Sequence, residues 1–331
     1  MDGVASPPMR QGGGLRWLEI SPGFACNCRC IGCHSCSPAT GDQMSWPEVQ
    51  SWLLKGRRGG ARHIWLSGGE PTIRKDFLAT LRAARAIGYE RIKVQSNGMM
   101  FSYPEFTRRA LDAGMNEVNL LLKSLDPKIH DGLNRTPGSF AALDRGLAQL
   151  EAAKAAGSAL RLEGDILVTS RNYEELVPLV EHYAARGLSH FNLWLFSLVD
   201  QGDRDLRRLV PRISDLRPAM EAAYDRAIAL GCTMVSLNTP ACMITPSRWR
   251  ALFDASGMDL LVVNPGGRAF MLQDSSIEQG VFVESCASCS VRATCHGMRQ
   301  DYLDVHGSAE LVPVPAELSA GFDPRGSALD L

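Results

Sequence analysis

Cys26, Cys30 and Cys33 form a C-x3-C-x2-C array directly after the strand-like segment Leu15–Ile20. Three thiolates can hold three irons of a [4Fe–4S] cube and leave the fourth iron open to another ligand. The nearest polar loop that could serve it is Gly68-Gly69-Glu70-Pro71-Thr72, after the next strand-like segment, His63–Leu66. A glycine pair lets backbone approach a ligand closely, and inward carbonyls can accept hydrogen bonds from an ammonium group. Glu70 could add a charged acceptor or brace the loop; the plainer alternative is a tight turn with Glu70 near a helix start. A second group, Cys286-x2-Cys289-x5-Cys295, lies far downstream. Cys28 and Cys36 are extra thiols in the first loop and His34 is adjacent. Sets of four cysteines, or of three cysteines and a histidine, also suit zinc, so a zinc knuckle competes at the first group and a structural zinc at the second.

The elements that must position these residues follow from hydrophobic period. Apolar runs read as buried strands over Leu15–Ile20, His63–Leu66, Arg91–Val94, Glu117–Leu122, Arg161–Val168 and His190–Phe196. Amphipathic stretches alternate with them: Asp76–Ile87 before Gly88, Pro104–Ala113 before Gly114, Ser139–Ala156 before Gly157, and Tyr173–Arg186 before Gly187. Ser45 before Pro47-Glu48 reads as another helix start. Six β/α units predict a parallel sheet with right-handed crossovers. They are too few for a closed eight-stranded barrel, so the expected fold is α/β, a partial (β/α)6 barrel over residues 15–200. A flat doubly wound sheet is the alternative.

The polar segments fall where such folds put function. The cysteine loop, Gly68–Thr72, Ser96-Asn97-Gly98 and Ser124-Leu125-Asp126 all follow strands, at the carboxyl edge of the sheet. That convergence predicts an enzyme. Arg161, Glu163 and Asp165 alternate on the fifth strand and share one face, either the barrel interior or solvent. Past Leu198 the pattern changes. Residues 201–331 are expected to form a small extension with a helix over Ile213–Leu230 and a hairpin of Leu260–Val263 and Arg268–Leu272 around Asn264-Pro265-Gly266-Gly267. The tail from Val312 is expected to be irregular.

Composition narrows the class. The chain has 331 residues, 45% hydrophobic and 21% charged, with net charge −1, which argues against nucleic-acid binding. Its start has no signal-peptide core and no run approaches a membrane span, so a cytoplasmic protein is expected. Ten cysteines, five of them between residues 26 and 36, read as metal ligands rather than a disulfide framework. Cys232 sits in an apolar context and reads as core. His63, His130, His190 and His306 lie in helix- or strand-like stretches and read as satisfied polar residues.

The stretch from Leu15 to about Leu198 resembles the radical S-adenosylmethionine (radical SAM) superfamily. The residues carrying this are the cysteine triplet, Gly68–Thr72, Ser96-Asn97-Gly98 and Ser124-Leu125-Asp126, with His130-Asp131 to Pro137-Gly138-Ser139-Phe140 in support. The resemblance implies a [4Fe–4S] cluster on Cys26, Cys30 and Cys33 whose open iron binds SAM, and reductive cleavage of SAM to a 5′-deoxyadenosyl radical. Carried over, Gly68, Gly69, Glu70 and Pro71 face the methionine amino group, and Ser96 and Ser124 lie near the ribose or carboxylate of SAM. An aromatic residue usual before the third cysteine is Gly32 here.

Cys286, Cys289 and Cys295 resemble the auxiliary-cluster segment of SPASM and twitch extensions. The next cysteine of a full SPASM set is replaced by Arg299, and the one after the hairpin by Leu272. One auxiliary [4Fe–4S] cluster is therefore expected, with Cys242 as candidate fourth ligand, or else an open iron that binds substrate. The implied partners are a flavodoxin- or ferredoxin-type electron donor and a peptide or small-molecule substrate. Peptide or protein modification is preferred on the auxiliary-cluster spacing, although no leader-binding domain precedes residue 15. Likeness to the molybdopterin-precursor cyclase is partial, since Cys289 and Cys295 stand closer together and the chain ends Asp330-Leu331 without a Gly-Gly tail. A non-catalytic zinc- or Fe–S-stapled binding or sensor protein is the alternative of another class.

Overall fold

The computed structural model describes residues 14–33, 42–198, 204–237, 239–253, 255–275 and 279–319. His34 and Cys36 lie outside them. The chain forms two compact units. The first holds the described residues up to Leu121 together with His130–Glu163 and Met258–Leu272, and the second holds Leu122–Ile129, Gly164–Gly257 and Gln273 onward.

In the first unit β1 (Trp17–Ile20), β2 (His63–Leu66), β3 (Arg91–Ser96) and β4 (Glu117–Leu122) pair side by side in parallel. The helices between them are α1 (Trp46–Arg58), α2 (Phe77–Ile87) and α3 (Pro104–Asp112). Ser45 opens α1 as expected, its backbone N–H donating to the Glu48 carboxylate at 2.6 Å. The helix-facing residues Leu18, Ile20, Ile64, Leu66, Ile92, Val94, Val118 and Leu120 are all buried. Helices α4 (Pro127–Asn134) and α5 (Ser139–Ala155) precede β5 (Arg161–Val168), whose first residues belong to this unit.

The second unit continues with a 3₁₀ turn (Tyr173–Glu175), α6 (Leu176–Ala185) and β6 (His190–Leu195). Helix α7 (Ile213–Ala229) follows, then β7 (Thr233–Leu237), parallel to β6. Strand β7 was not expected. Ser236 interrupts its short apolar run, and the pairing of His190 to Trp194 with Thr233 to Leu237 is what defines it. The expected hairpin forms as antiparallel β8 (Leu260–Asn264) and β9 (Arg268–Met271), with left-handed glycines Gly266 and Gly267 at its turn. Strand β8 also pairs in parallel with β1, so the hairpin extends the first unit's sheet. Among the described residues the sheet has nine strands and its end strands, β7 and β9, do not pair with each other, so it is open rather than a closed barrel.

The face of the sheet opposite the helices is polar yet shielded. Lys93, Glu117 and Glu163 are each no more than 1% exposed. The Lys93 ammonium contacts the Glu163 carboxylate and lies 3.4 Å from Glu117, while Arg91 donates twice to Glu117 at 2.7 and 2.8 Å. The Lys93 Nζ sits 4.5 Å from the centre of the Trp65 ring, and the Arg91 guanidinium 4.7 Å from that of Trp17. In the second unit Asp165 accepts from Asn192, whose amide oxygen meets His190. Of the three alternating charges on β5, Glu163 and Asp165 therefore face the interior, whereas the Arg161 side chain remains half exposed.

Two consequences can be measured. Lys93→Met leaves the Glu163 carboxylate buried without its close cation, while Glu117 keeps Arg91, and should destabilise the fold by about 3–5 kcal/mol in denaturant titrations. Adding Glu163→Gln to that variant should recover part of the loss. His63 is half-buried between Trp17 and the cations around it, and its pKa is lowered from 6.5 to about 4, first by burial and then by Arg91. The fold thus favours neutral His63. Its contribution is full above about pH 6.5 and declines as pH falls toward about 4, because the unfolded chain binds the proton first. His63→Gln should flatten that part of the stability–pH curve.

Candidate functional site

The cysteine loop of the first unit is pinned from three directions. Gly69 N–H donates to Gly23 O at 3.0 Å and Glu70 N–H to Ala25 O at 2.9 Å. Arg29 N–H and Ile31 N–H donate to the carbonyls of Asn134 and Leu133, at the end of α4. The side-chain amide of Asn97 donates to Asn27 Oδ1 at 2.7 Å and reaches Cys28 Sγ at 3.5 Å. The two glycines serve this docking. A Cβ on Gly69 would stand 2.2 Å from Ala25 O, and one on Gly68, where φ is +100°, 2.6 Å from Gly23 O. The glycine pair therefore admits the cysteine loop itself, a role the sequence left unassigned.

Glu70 is a brace. It is 2% exposed, and its carboxylate accepts from Thr72 N–H at 3.2 Å, the Thr72 hydroxyl, the Ser96 hydroxyl at 2.9 Å and Asn97 N–H at 2.8 Å. Burial pushes its pKa up, and those four donors oppose the shift. Ser96 in turn accepts from Gly98 N–H at 3.0 Å. The ends of β2 and β3 are thereby fixed beside the cysteine loop.

The cysteines of that loop divide into two kinds. Cys26, Cys30 and Cys33 are half-buried, whereas Cys28 is 2% exposed with its sulfur 3.6 Å from Met99 Sδ. The Cys28 thiol is pushed up to about 11, first by its hydrogen bond with Cys26 and further by burial. It packs inward, which leaves the C-x3-C-x2-C triplet as the accessible donor set. Cys28 N–H points at Cys26 Sγ from 3.3 Å, and the sulfur of Cys30 lies 3.1 Å from Asn134 Oδ1.

The second unit gathers the other cysteines. Cys242, in the 3₁₀ turn Ala241–Met243, lines one pocket with Cys286, Cys289 and Cys295, and Phe282 and Arg292 complete part of its wall. The Cys242 thiol is pushed up to about 12, first by burial and then by the charges of Cys295, Cys289 and Cys286. Gly297 N–H points at Cys295 Sγ from 3.3 Å and Val314 N–H at Cys289 Sγ from 3.4 Å. Such N–H groups stabilise thiolates, so the donor set fits an anionic metal–sulfur centre. Among the described residues no three His, Cys, Asp or Glu are gathered as for a single metal ion. A cube spreads its ligands over several irons and takes thiolates set wider apart.

Residues 20–181 match the radical SAM superfamily. That stretch is a radical SAM domain. Members of that superfamily use a [4Fe–4S] cluster and S-adenosylmethionine. A probable GTP 3′,8-cyclase of Sulfurisphaera tokodaii is 27% identical over 186 residues, 56% of this chain and 57% of that protein. The match thus spans little more than half the length of that curated relative. A GTP 3′,8-cyclase of Rhodopseudomonas palustris is 24% identical over 322 residues, 93% of this chain and 84% of that protein. In fold, the chain is similar to Streptococcus suis SuiB bound to precursor peptide SuiA, with TM-score 0.63, 14% identity and coverage of 92% of this chain and 76% of that one.

Other expected residues have definite places. Ser124, in the second unit, donates to Glu175 Oε2 at 2.7 Å and accepts from Asp126 N–H. Leu125 N–H also donates to Glu175, so this carboxylate holds the loop after β4 as Glu70 holds those after β2 and β3. Cys232 is buried with its sulfur near Leu188 O, a core position as expected. His190 meets Thr233 and Asn192, and His306 meets Val210 O. Arg299 binds the carbonyls of Leu195 and Phe196 and pairs with Asp301, so its side chain ties down the end of β6. Asn97, Asn134 and Glu175 were missed as site-organising residues. The Ser-Asn-Gly run was the one available signal for Asn97, and nothing local marks the others. No helix among the described residues is long and apolar enough to cross a membrane.

Glu70→Gln replaces one acceptor oxygen with an N–H2 group that must confront a donor. It should cost about 1–3 kcal/mol of stability and weaken SAM binding measured by isothermal titration. Unchanged SAM affinity in a folded Glu70→Gln protein would show that the brace does not shape the cofactor site.

Proposed function

We propose that this chain is a radical SAM enzyme that modifies a peptide or protein. Cys26, Cys30 and Cys33 hold the SAM-binding cluster, with Gly68–Pro71 and Ser96 at the SAM edge. Cys242, Cys286, Cys289 and Cys295 hold one auxiliary [4Fe–4S] cluster. When bound, these groups supply the electron that cleaves SAM and the 5′-deoxyadenosyl radical that removes a substrate hydrogen atom. The chain's own residues position and shield. Glu70 and Asn97 fix the loop that carries the thiolates, and Cys28 fills the space beneath it.

The observation that carries the choice of substrate is the arrival of Cys242 in the pocket of Cys286, Cys289 and Cys295. Four thiolates saturate the four irons of a cube and leave none to grip a small molecule, which favours a centre that passes electrons. Likeness in fold to SuiB, solved with a precursor peptide, supports the same choice. A small donor protein of flavodoxin or ferredoxin type is the proposed reductant. A small nucleotide substrate is the second proposal, favoured by the names of the curated relatives, which are GTP 3′,8-cyclases.

Anaerobic EPR on reduced, reconstituted protein should show a SAM-dependent signal. A Cys26/Cys30/Cys33→Ala variant should lose it and keep about four irons per chain. Cys242→Ser should change the remaining signal and leave the SAM response intact. Release of 5′-deoxyadenosine separates the substrates: stimulation by GTP alone sinks the peptide proposal. Zinc in place of iron, or no spectral response to SAM, sinks the ligand assignments.

A further inference from the structure

The sulfur atoms of the proposed SAM cluster differ in what faces them. Cys26 has a backbone N–H, but Cys30 meets the amide oxygen of Asn134 at 3.1 Å. In that pair the thiol hydrogen of Cys30 is the donor, and a thiolate bound to iron has no hydrogen to give. An oxygen lone pair held against an anionic sulfur is repulsive, so metal loading demands that something change.

Asn134 has little freedom to withdraw. Its side chain is buried, and its carbonyl accepts from Arg29 N–H at 3.1 Å and the Thr136 hydroxyl at 2.9 Å. What can change is the amide orientation, since a half-turn exchanges Oδ1 and Nδ2 at almost no cost in shape. The neighbour on the other side permits this. Asn134 Nδ2 now donates to Ser139 Oγ at 3.0 Å, and Ser139 donates to Asp131 Oδ1 at 2.9 Å. After the turn the Ser139 hydroxyl can donate to Asn134 Oδ1 instead, giving up its bond to Asp131 Oδ1. Asp131 keeps its bonds from Gly138 N–H at 2.6 Å and Phe140 N–H at 2.8 Å.

We propose that Asn134 is a positioning residue for the SAM cluster, its amide turned to donate Nδ2–H to the Cys30 thiolate with Ser139 as the compensating donor. The inference rests on the assignment of Cys30 as a cluster ligand. A donor at a cluster sulfur stabilises the reduced, more negative state and raises the reduction potential. Asn134 therefore makes the cluster easier to reduce.

The test is an EPR-monitored redox titration of the full-length, doubly loaded protein. Asn134→Leu removes the donor, and Asn134→Asp puts a second anion in its place. Both should lower the midpoint of the SAM-responsive signal, Asn134→Asp by at least tenfold in the one-electron equilibrium, about 59 mV. The auxiliary signal should keep its midpoint and the iron content should be unchanged, which a merely structural role would not give. Ser139→Ala should shift the same signal in the same direction by less. A wild-type midpoint in fully loaded Asn134→Asp overturns the proposal. Should the Asn134 variants fail to load, an unshifted midpoint in Ser139→Ala overturns it. Absence of any SAM-responsive signal in the wild type overturns the ligand assignment beneath it, and is seen before any variant is compared.

Discussion

One buried carboxylate holds the candidate site of the first unit in register. Glu70 has lost its water and receives four donors from Thr72, Ser96 and Asn97 in return. An unmet buried charge is costly, so the loops after β2 and β3 can take only the arrangement that satisfies it. Because Asn97 also reaches Asn27 and Cys28, that arrangement extends into the cysteine loop. The glycines complete it by letting two backbones meet with no Cβ between them. The order of the cysteine loop thus derives from polar groups bonded to one another around one carboxylate.

The interior face of the same unit follows a similar rule at larger scale. Lys93, Arg91, Glu117 and Glu163 are placed on neighbouring strands so that each charge meets an opposite one, with Trp17 and Trp65 covering the cations. Such a set adds little net stability compared with an apolar core, but it penalises any other register of the strands.

In the second unit the departure from a longer cysteine set has a structural counterpart. Arg299, at the position of a further cysteine in the longer set, ties the end of β6 through two carbonyls, while Cys242 comes from another segment to join the remaining three. Hydrogen bonds from Arg217 to the carbonyls of Cys242 and Met243, at 2.8 and 3.0 Å, hold that segment in place. The thiolate count of the pocket is therefore set by packing against α7 as much as by the C-x2-C-x5-C spacing.

Much of this was legible in the chain. The periods of β1 to β6, the glycine stops, the C-x3-C-x2-C array and the Gly-Gly-Glu-Pro loop are local patterns, and local sterics and hydrogen bonding fix them. What the sequence by itself determined is which residues lie at strand ends and which thiols share a loop. It could not say that Cys28 turns inward while its neighbours stay accessible, that Glu163 finds Lys93, or that Asn134 comes to rest on Cys30. Strand β7 likewise exists only through its pairing with β6. Each of these depends on which segments, tens of residues apart, are brought together, and that choice is made by burial and by satisfaction of buried polar groups. Tertiary packing alone decided it.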